Sequence, residues 1–172
     1  ANNATAVDAA GMESERLGYS HAMIAATKSE GPAEEVGRHL AQMALRMRES
    51  TGPNCLVSGG EPTVTLIDES RRGKGGRNQQ LALAALIALG DCNRICLLSA
   101  GTDGEDGPTD AAGAFVTEEV VRSARNAQHD VGDFLARNDA YSFFQQAGGL
   151  FITGPTQTNV CDLRIILTAR DT

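Results

Sequence analysis

Four carboxylates fall within eight positions in Ser99-Ala-Gly-Thr-Asp-Gly-Glu-Asp-Gly-Pro-Thr-Asp-Ala-Ala-Gly113: Asp103, Glu105, Asp106 and Asp110. They are hard oxygen donors of the kind Mg²⁺ accepts, one or two at a time beside waters and substrate phosphates. The same residues also cap turns and helices, and sequence alone leaves both uses open. A second block, Gly73-Lys-Gly-Gly-Arg-Asn78, places Lys74 and Arg77 among glycines just ahead of an apolar stretch. A glycine-rich entry into a helix offers backbone N–H groups and partial positive charge to an anion, and a hairpin tip with solvated charges has the same composition. The spacing is neither G-x-x-x-x-G-K-[ST] nor G-x-G-x-x-G, because Asn78 stands where the third glycine would be. Ser58-Gly-Gly-Glu61 sets one carboxylate beside two glycines, suited to substrate contact or to close backbone packing. Thr153-Gly-Pro-Thr-Gln-Thr-Asn159 reads as a structural turn. His21, His39 and His129 share no motif, and there is no G-x-S-x-G elbow or cysteine–histidine pairing, which argues against a covalent hydrolase.

The elements that position these blocks alternate in type. Helices are predicted over Ala4–Arg16, Ala33–Arg48, Asn78–Leu89, Thr117–Gln128 and Asp139–Ala147, from apolar spacing of three and four. Asn78 is the expected cap of the third, and Thr117 that of the fourth. Strands are predicted over His21–Thr27, Asn54–Ser58, Pro62–Ile67, Ile95–Leu98 and Val160–Thr168, with Phe151-Ile-Thr as a further extended piece. This order implies an α/β domain, a layered mixed sheet with flanking helices. The apolar run Ile95–Leu98 releases into the acidic loop, where ligands of open α/β sheets sit.

The chain has 172 residues, 41% of them hydrophobic, and a formal net charge of −7. That size suits one core. The acidic balance, with basic residues gathered only around Arg71, Arg72, Lys74 and Arg77, argues against nucleic acid as a partner. No apolar run approaches membrane-spanning length, and no signal-peptide pattern is present, so the expectation is a cytoplasmic protein without membrane contact. Cys55, Cys92, Cys96 and Cys161 fit neither zinc spacing nor a disulfide scaffold and read as reduced, mostly buried thiols.

The blocks Ser58–Thr65, Gly73–Leu81, Ala100–Gly113 and Gly154–Leu163, in that order, resemble the MOFRL domain, the carboxyl-terminal domain of class II glycerate kinases, some of whose members carry the label hydroxypyruvate reductase. The resemblance covers roughly Asn54–Thr172, within a domain placed at residues 51–172. It implies that residues 1–50 lead in from an amino-terminal Rossmann-like domain that faces this one across a cleft. It further implies phosphorylation of D-glycerate, typically at the 2-hydroxyl, by ATP with Mg²⁺. Arg77 is then the charge-stabilising catalytic residue, and Asp103 and Asp106 line the cleft as candidate Mg²⁺ ligands. Residues and resemblance together give a substrate- and nucleotide-binding set of Gly59, Gly60, Glu61, Lys74, Gly75, Gly76, Asn78, Thr102, Asp103 and Asp106. Four positions depart from the family pattern: Pro62 replaces a usual Thr, Glu105 an aliphatic residue, Gln157 a Gly and Cys161 an Asn. The family's catalytic lysine, expected from the amino-terminal domain, has no counterpart here, so the chain alone is expected to be inactive as a kinase. A nicotinamide-dependent hydroxypyruvate reductase and a non-catalytic small-molecule or nucleotide-binding module are the competing readings, and a homodimer is left open.

Overall fold

The computed structural model describes residues 2–25 and 30–169. Twelve elements are assigned among them: α1 (Asn3–Arg16), β1 (His21–Ile24), α2 (Ala33–Glu49), β2 (Cys55–Gly60), α3 (Arg77–Leu89), β3 (Ile95–Gly101), β4 (Gly113–Val116), α4 (Glu118–Asn126), α5 (Val131–Ala136), α6 (Ala140–Ala147), β5 (Leu150–Phe151) and β6 (Asp162–Thr168). The strands form one open sheet in the order β1-β2-β6-β3-β4-β5. Only β1 and β2 pair in parallel, with α2 as their crossover; every other pairing is antiparallel. The α/β mixed sheet with flanking helices is therefore present.

Side-chain alternation along β6 sorts the two faces. Asp162, Arg164, Ile166 and Thr168 are buried on one side, under the large cluster built from α2 and α3. Leu163, Ile165 and Leu167 face the other side, where they meet Val7 of α1 and Cys55 and Val57 of β2. Helix α3 reads Arg-Asn-Gln-Gln-Leu-Ala-Leu-Ala-Ala-Leu-Ile-Ala-Leu, apolar almost all round, and it is buried along most of its length. Such a helix must be largely enclosed by neighbours, and only Ile87 and Ala88 near its end are exposed. It packs against α2, the sheet, α5 and α6. Thr117 caps α4 as its sequence predicts, accepting from the Val120 N–H.

Several expectations change. Pro62–Ile67 is not a strand: only Thr63 bridges to Pro32, exchanging hydrogen bonds with Gly31 and Ala33, and the Ile67 N–H is held by the Asn138 side chain instead of a ladder. Pro62 has no N–H to give a ladder, and the side-chain partner takes the next donor out of competition. The first strand ends at Ile24, and Ala26 and Thr27 of the predicted span lie outside the described residues. Strand β6 begins at Asp162, not Val160. Strand β4 and the six-residue α5 have no counterpart in the predicted elements. Because β4 returns antiparallel to β3, the acidic segment is a hairpin connection and not a strand-to-helix loop. His129 packs edge-on to Phe134 and Phe143, within an aromatic cluster rather than a site.

Helix α2 crosses α3 at Gly37, whose missing Cβ would lie well inside contact of the Leu81 carbonyl oxygen and close to the Ala84 methyl. Helix propensity favours Gly37→Ala by about 1 kcal/mol. Backbone on the far side of the contact cannot yield as a flexible side chain would, so overpacking, which costs about 1–3 kcal/mol, should win. Thermal unfolding is expected to show a lower midpoint for Gly37→Ala than for the wild type; an unchanged or higher midpoint would mean that the helices separate freely.

Candidate functional site

At one end of the sheet, β2 finishes in Gly59-Gly60, the chain continues through Glu61, and Gly75 and Gly76 return it to the first turn of α3. Gly60, Glu61, Gly75 and Gly76 border a cleft of about 930 Å³, with Pro62, Val64 and Leu66 on an apolar wall. Arg77, the first residue of α3, stands at its edge. Its guanidinium is gripped side-on: Nε donates to Oδ2 of Asp162 at 2.7 Å and Nη2 to Oδ1 at 2.9 Å. The Asp162 carboxylate is 0% exposed, whereas the Arg77 side chain is 34% exposed. On the open side, Nη1 of Arg77 lies 3.6 Å from Oε1 of Glu61, which is 62% exposed. Hydrogen bonding to Asp162 raises the Arg77 pKa further above its already high value, so the group is a permanent cation.

The N-terminus of α3 is already filled by a carboxylate. Oδ1 of Asp106 accepts from the Asn78 N–H at 3.0 Å and from Asn78 Nδ2 at 3.2 Å; Oδ2 accepts from the Gln79 N–H at 2.8 Å. Asp106 is 2% exposed. The cap therefore comes from the acidic loop and not from Asn78, which lies inside the helix behind Gly76 and instead accepts from the Ser99 hydroxyl at 2.6 Å. Thr109 ties the same loop to Gln79 at 2.9 Å. An anion drawn to free helix N–H groups would meet Asp106 in their place.

The glycines answer to protein packing. A Cβ at Gly59 would strike the Asn3 side chain, at Gly60 Glu30 and Arg164, and at Gly76 Asp106. Gly75 has ordinary room and borders the cleft. Lys74 does not line the cleft: its ammonium lies 4.3 Å from the Tyr141 ring centroid, and its N–H donates to Asp139. Thr102 is a pin, its hydroxyl donating to the Cys161 carbonyl and accepting from the Val160 N–H. Asp103 is half-buried, one oxygen accepting from the Glu105 N–H two residues on and the other from the Asn159 amide. Gln157 and Cys161, the two departures in this loop, have φ of 59° and 66°, the left-handed region in which Gly and Asn sit with least strain.

Asp106 does not fit as a cation ligand: it is enclosed, and both its oxygens accept from α3. Among the described residues, no group of three or more His, Cys, Asp or Glu side chains is placed to hold a metal. Of the expected set, Gly60, Glu61, Gly75, Gly76 and Arg77 come together on the cleft. Asp162, Arg72, Asn138 and Gln80 are additions, the last three as cleft-lining residues. Asp162 had a signal in its strand, where Asp162 and Arg164 interrupt one face while Leu163, Ile165 and Leu167 keep the other apolar.

Burial pushes the Asp106 carboxyl up to about 6 from its usual 3.8; the Asn78 and Gln79 donors pull it down, and nearby Asp162 adds to the rise. Between about pH 4 and pH 6 the folded chain therefore retains a proton that the unfolded chain has released. The stability this group contributes is complete below about pH 4 and is lost as pH rises through about 6, a change on the order of 3 kcal/mol. Urea unfolding of the wild type and Asp106→Asn across this window should show the variant gaining relative to the wild type as pH rises. Movement in the opposite direction would mean that the helix N-terminus outweighs burial.

Residues 54–162 match the model of the MOFRL family. A D-glycerate 2-kinase of Thermotoga maritima is 42% identical over 149 residues, covering 84% of this chain and 35% of that protein. A glycerate 2-kinase of Pyrococcus horikoshii is 38% identical over 171 residues, covering 97% of this chain and 38% of that protein. The crystal structure of a glycerate kinase from Thermotoga maritima has a TM-score of 0.90 to this fold at 37% identity, covering 98% of this chain and 41% of that one. The chain thus spans less than half of the length of the curated relatives it matches, 35% and 38% for these two. With the family model covering more than half its residues and the fold shared over nearly all of them, the chain belongs to the MOFRL family.

Proposed function

We propose that this chain is the carboxyl-terminal part of a glycerate kinase and supplies one wall of its active site, transferring the γ-phosphoryl group of ATP to D-glycerate, at the 2-hydroxyl. The observation that carries the reading is Arg77: a permanent cation at the edge of a large cleft, with its rotation set by a buried carboxylate. In the transfer, the substrate hydroxyl oxygen bonds to the γ-phosphorus as the bond to the bridging oxygen of ADP breaks, and charge is spread over the equatorial oxygens. Catalysis then rests on positioning and on donors already aimed at those oxygens. Two of the five Arg77 N–H groups are held by Asp162, and the other three remain for phosphate oxygens, within reach of Glu61. Glu61 is the counterion that an arriving phosphate displaces. Mg²⁺, when bound with the nucleotide, supplies charge neutralisation on phosphate oxygens; nothing assigned to this chain passes through it. The amino-terminal Rossmann-like domain, reached through residues 1–50, would supply the opposite wall and the lysine that this half lacks. The α3 N-terminus, filled by Asp106, does not offer this half as the pyrophosphate site of a dinucleotide-dependent reductase.

Glycerate-dependent ADP release with Mg²⁺ is expected from a full-length polypeptide containing this chain and not from the 172 residues alone. Arg77→Ala would strand the buried Asp162 charge, a change that costs about 3–5 kcal/mol in comparable pairs, so Arg77→Lys is the cleaner variant. It should stay folded and lose about 10²–10³ in kcat, because an ammonium cannot hold Asp162 and phosphate with one planar fork. Full-length turnover that survives Arg77→Lys within about threefold would remove Arg77 from the chemistry, and no turnover at full length would remove the kinase reading.

A further inference from the structure

Asp162 occupies a place that the fold builds around it. It opens β6, the strand between β2 and β3, and its cross-strand partners are Gly60 on one side and Gly101 on the other. Neither partner carries a side chain, and the space beside each is taken by other groups, Glu30 and Arg164 at Gly60 and the Glu105 carbonyl and Asp103 at Gly101, so the Asp162 carboxylate is enclosed and 0% exposed. Its main chain is pinned as well, since Asn3 of α1 donates through Nδ2 to the Asp162 and Val160 carbonyls, both at 3.0 Å. Two residues along, on the same face, Arg164 is 1% exposed and forks onto Glu30 at 2.7 and 2.8 Å, filling the space above Gly60. The Asp162 carboxylate is thus fixed through its backbone, its sheet neighbours and the absence of solvent, and each oxygen accepts one Arg77 N–H.

From this geometry we infer that Asp162 is the positioning residue of the site: resting on the kinase reading above, it acts through Arg77 by locking the guanidinium plane so that Nη1 and the outer edge of Nη2 face the cleft. A salt bridge that served stability alone would not need this arrangement. A buried pair of this kind contributes little net stability, since desolvation offsets most of the attraction. What the fork does fix is orientation, and orientation is what phosphoryl transfer draws on, where a displacement of about 1 Å can cost about a hundredfold in rate. Glu61 cannot replace Asp162 in this role, because it is largely exposed and its closest approach to Arg77 is a single 3.6 Å contact.

The test pairs a structural reading with a kinetic one. In the ¹⁵N-labelled chain, the Arg77 Nε–H signal, assigned by its loss in Arg77→Lys, should exchange slowly with solvent, and Asp162→Asn should speed that exchange by about tenfold or more, as the charged acceptor is lost. In the full-length enzyme, Asp162→Asn should lower kcat by about tenfold or more with KM for glycerate changed less than about threefold, and Asp162→Glu should restore less than half of the loss. In an Arg77→Lys background the same Asp162→Asn change should alter kcat by less than about twofold, since the group through which Asp162 acts is gone. Equal losses in both backgrounds, or an Nε–H exchange rate unaffected by Asp162→Asn, would overturn the assignment. Should the wild-type enzyme show no glycerate-dependent turnover, the kinase reading falls, and the exchange rate still decides whether Asp162 holds Arg77.

Discussion

The carboxylate of Asp106 on the first turn of α3 is the contact from which the site is built. It brings a loop 28 positions further along the chain over the start of the helix and satisfies backbone donors that would otherwise be orphaned. Three consequences follow from that one placement. The helix begins at Arg77, so this side chain leaves the helix at the ends of the central strands, against Asp162 at the start of β6. The electropositive N-terminus is neutralised by protein, so the positive charge at the cleft belongs to a guanidinium and not to backbone amides. Gly76 must be glycine, because any side chain would collide with Asp106.

A layer of buried and partly buried polar pairs lies beneath this cap: Arg77 with Asp162, Arg164 with Glu30, Asn78 with Ser99, and Gln79 with Thr109. In a core otherwise made of Leu, Ala, Val and Phe, these pairs add little net stability, because each group must first be stripped of water. They fix register and direction. Each ties a side chain of α3 or β6 to a partner from another segment, so the helix cannot slide along the sheet without breaking several at once. The rest of the core then has a simpler task, the close packing of α2 on α3 at Gly37 and the covering of most of α3.

Much of this is legible in the chain. Helices α2 and α3 announce themselves by apolar spacing, β3 by a short aliphatic run, and the glycines around residues 59 and 75 by their position at element ends. Arg77 and Glu61 are legible as charges beside glycine at such an end, where a solvated tip and a ligand contact share one composition. What stays hidden depends on partners distant in sequence. Asp162 meets Arg77 across 85 positions, and Lys74 is drawn from the cleft by Tyr141, an aromatic residue that lies far along the chain. Asp106 looks like a cap for whatever follows it, and only the hairpin return through β4 shows that the helix it caps precedes it. Strand β4 itself is four residues beginning with glycine, too short for periodicity to register. Pro62–Ile67 errs in the other direction: Val64, Thr65 and Ile67 have strand character, but the backbone partners they would need are replaced by Thr63 bridging and by Asn138.

If the proposed function is right, anions bind this domain at the Arg77 guanidinium and the Gly60–Glu61 and Gly75–Gly76 rim, not at the α3 amides or the acidic loop. Titration of the ¹⁵N-labelled chain with inorganic phosphate, followed by amide and arginine side-chain shifts, tests that directly. Shifts concentrated at Gly60, Glu61, Gly75, Gly76 and the Arg77 side chain, with the Asn78 and Gln79 amides and the Asp103–Asp106 loop unmoved, are the predicted result. Shifts centred on Asn78 and Gln79, or on Lys74 and the acidic loop, would contradict it.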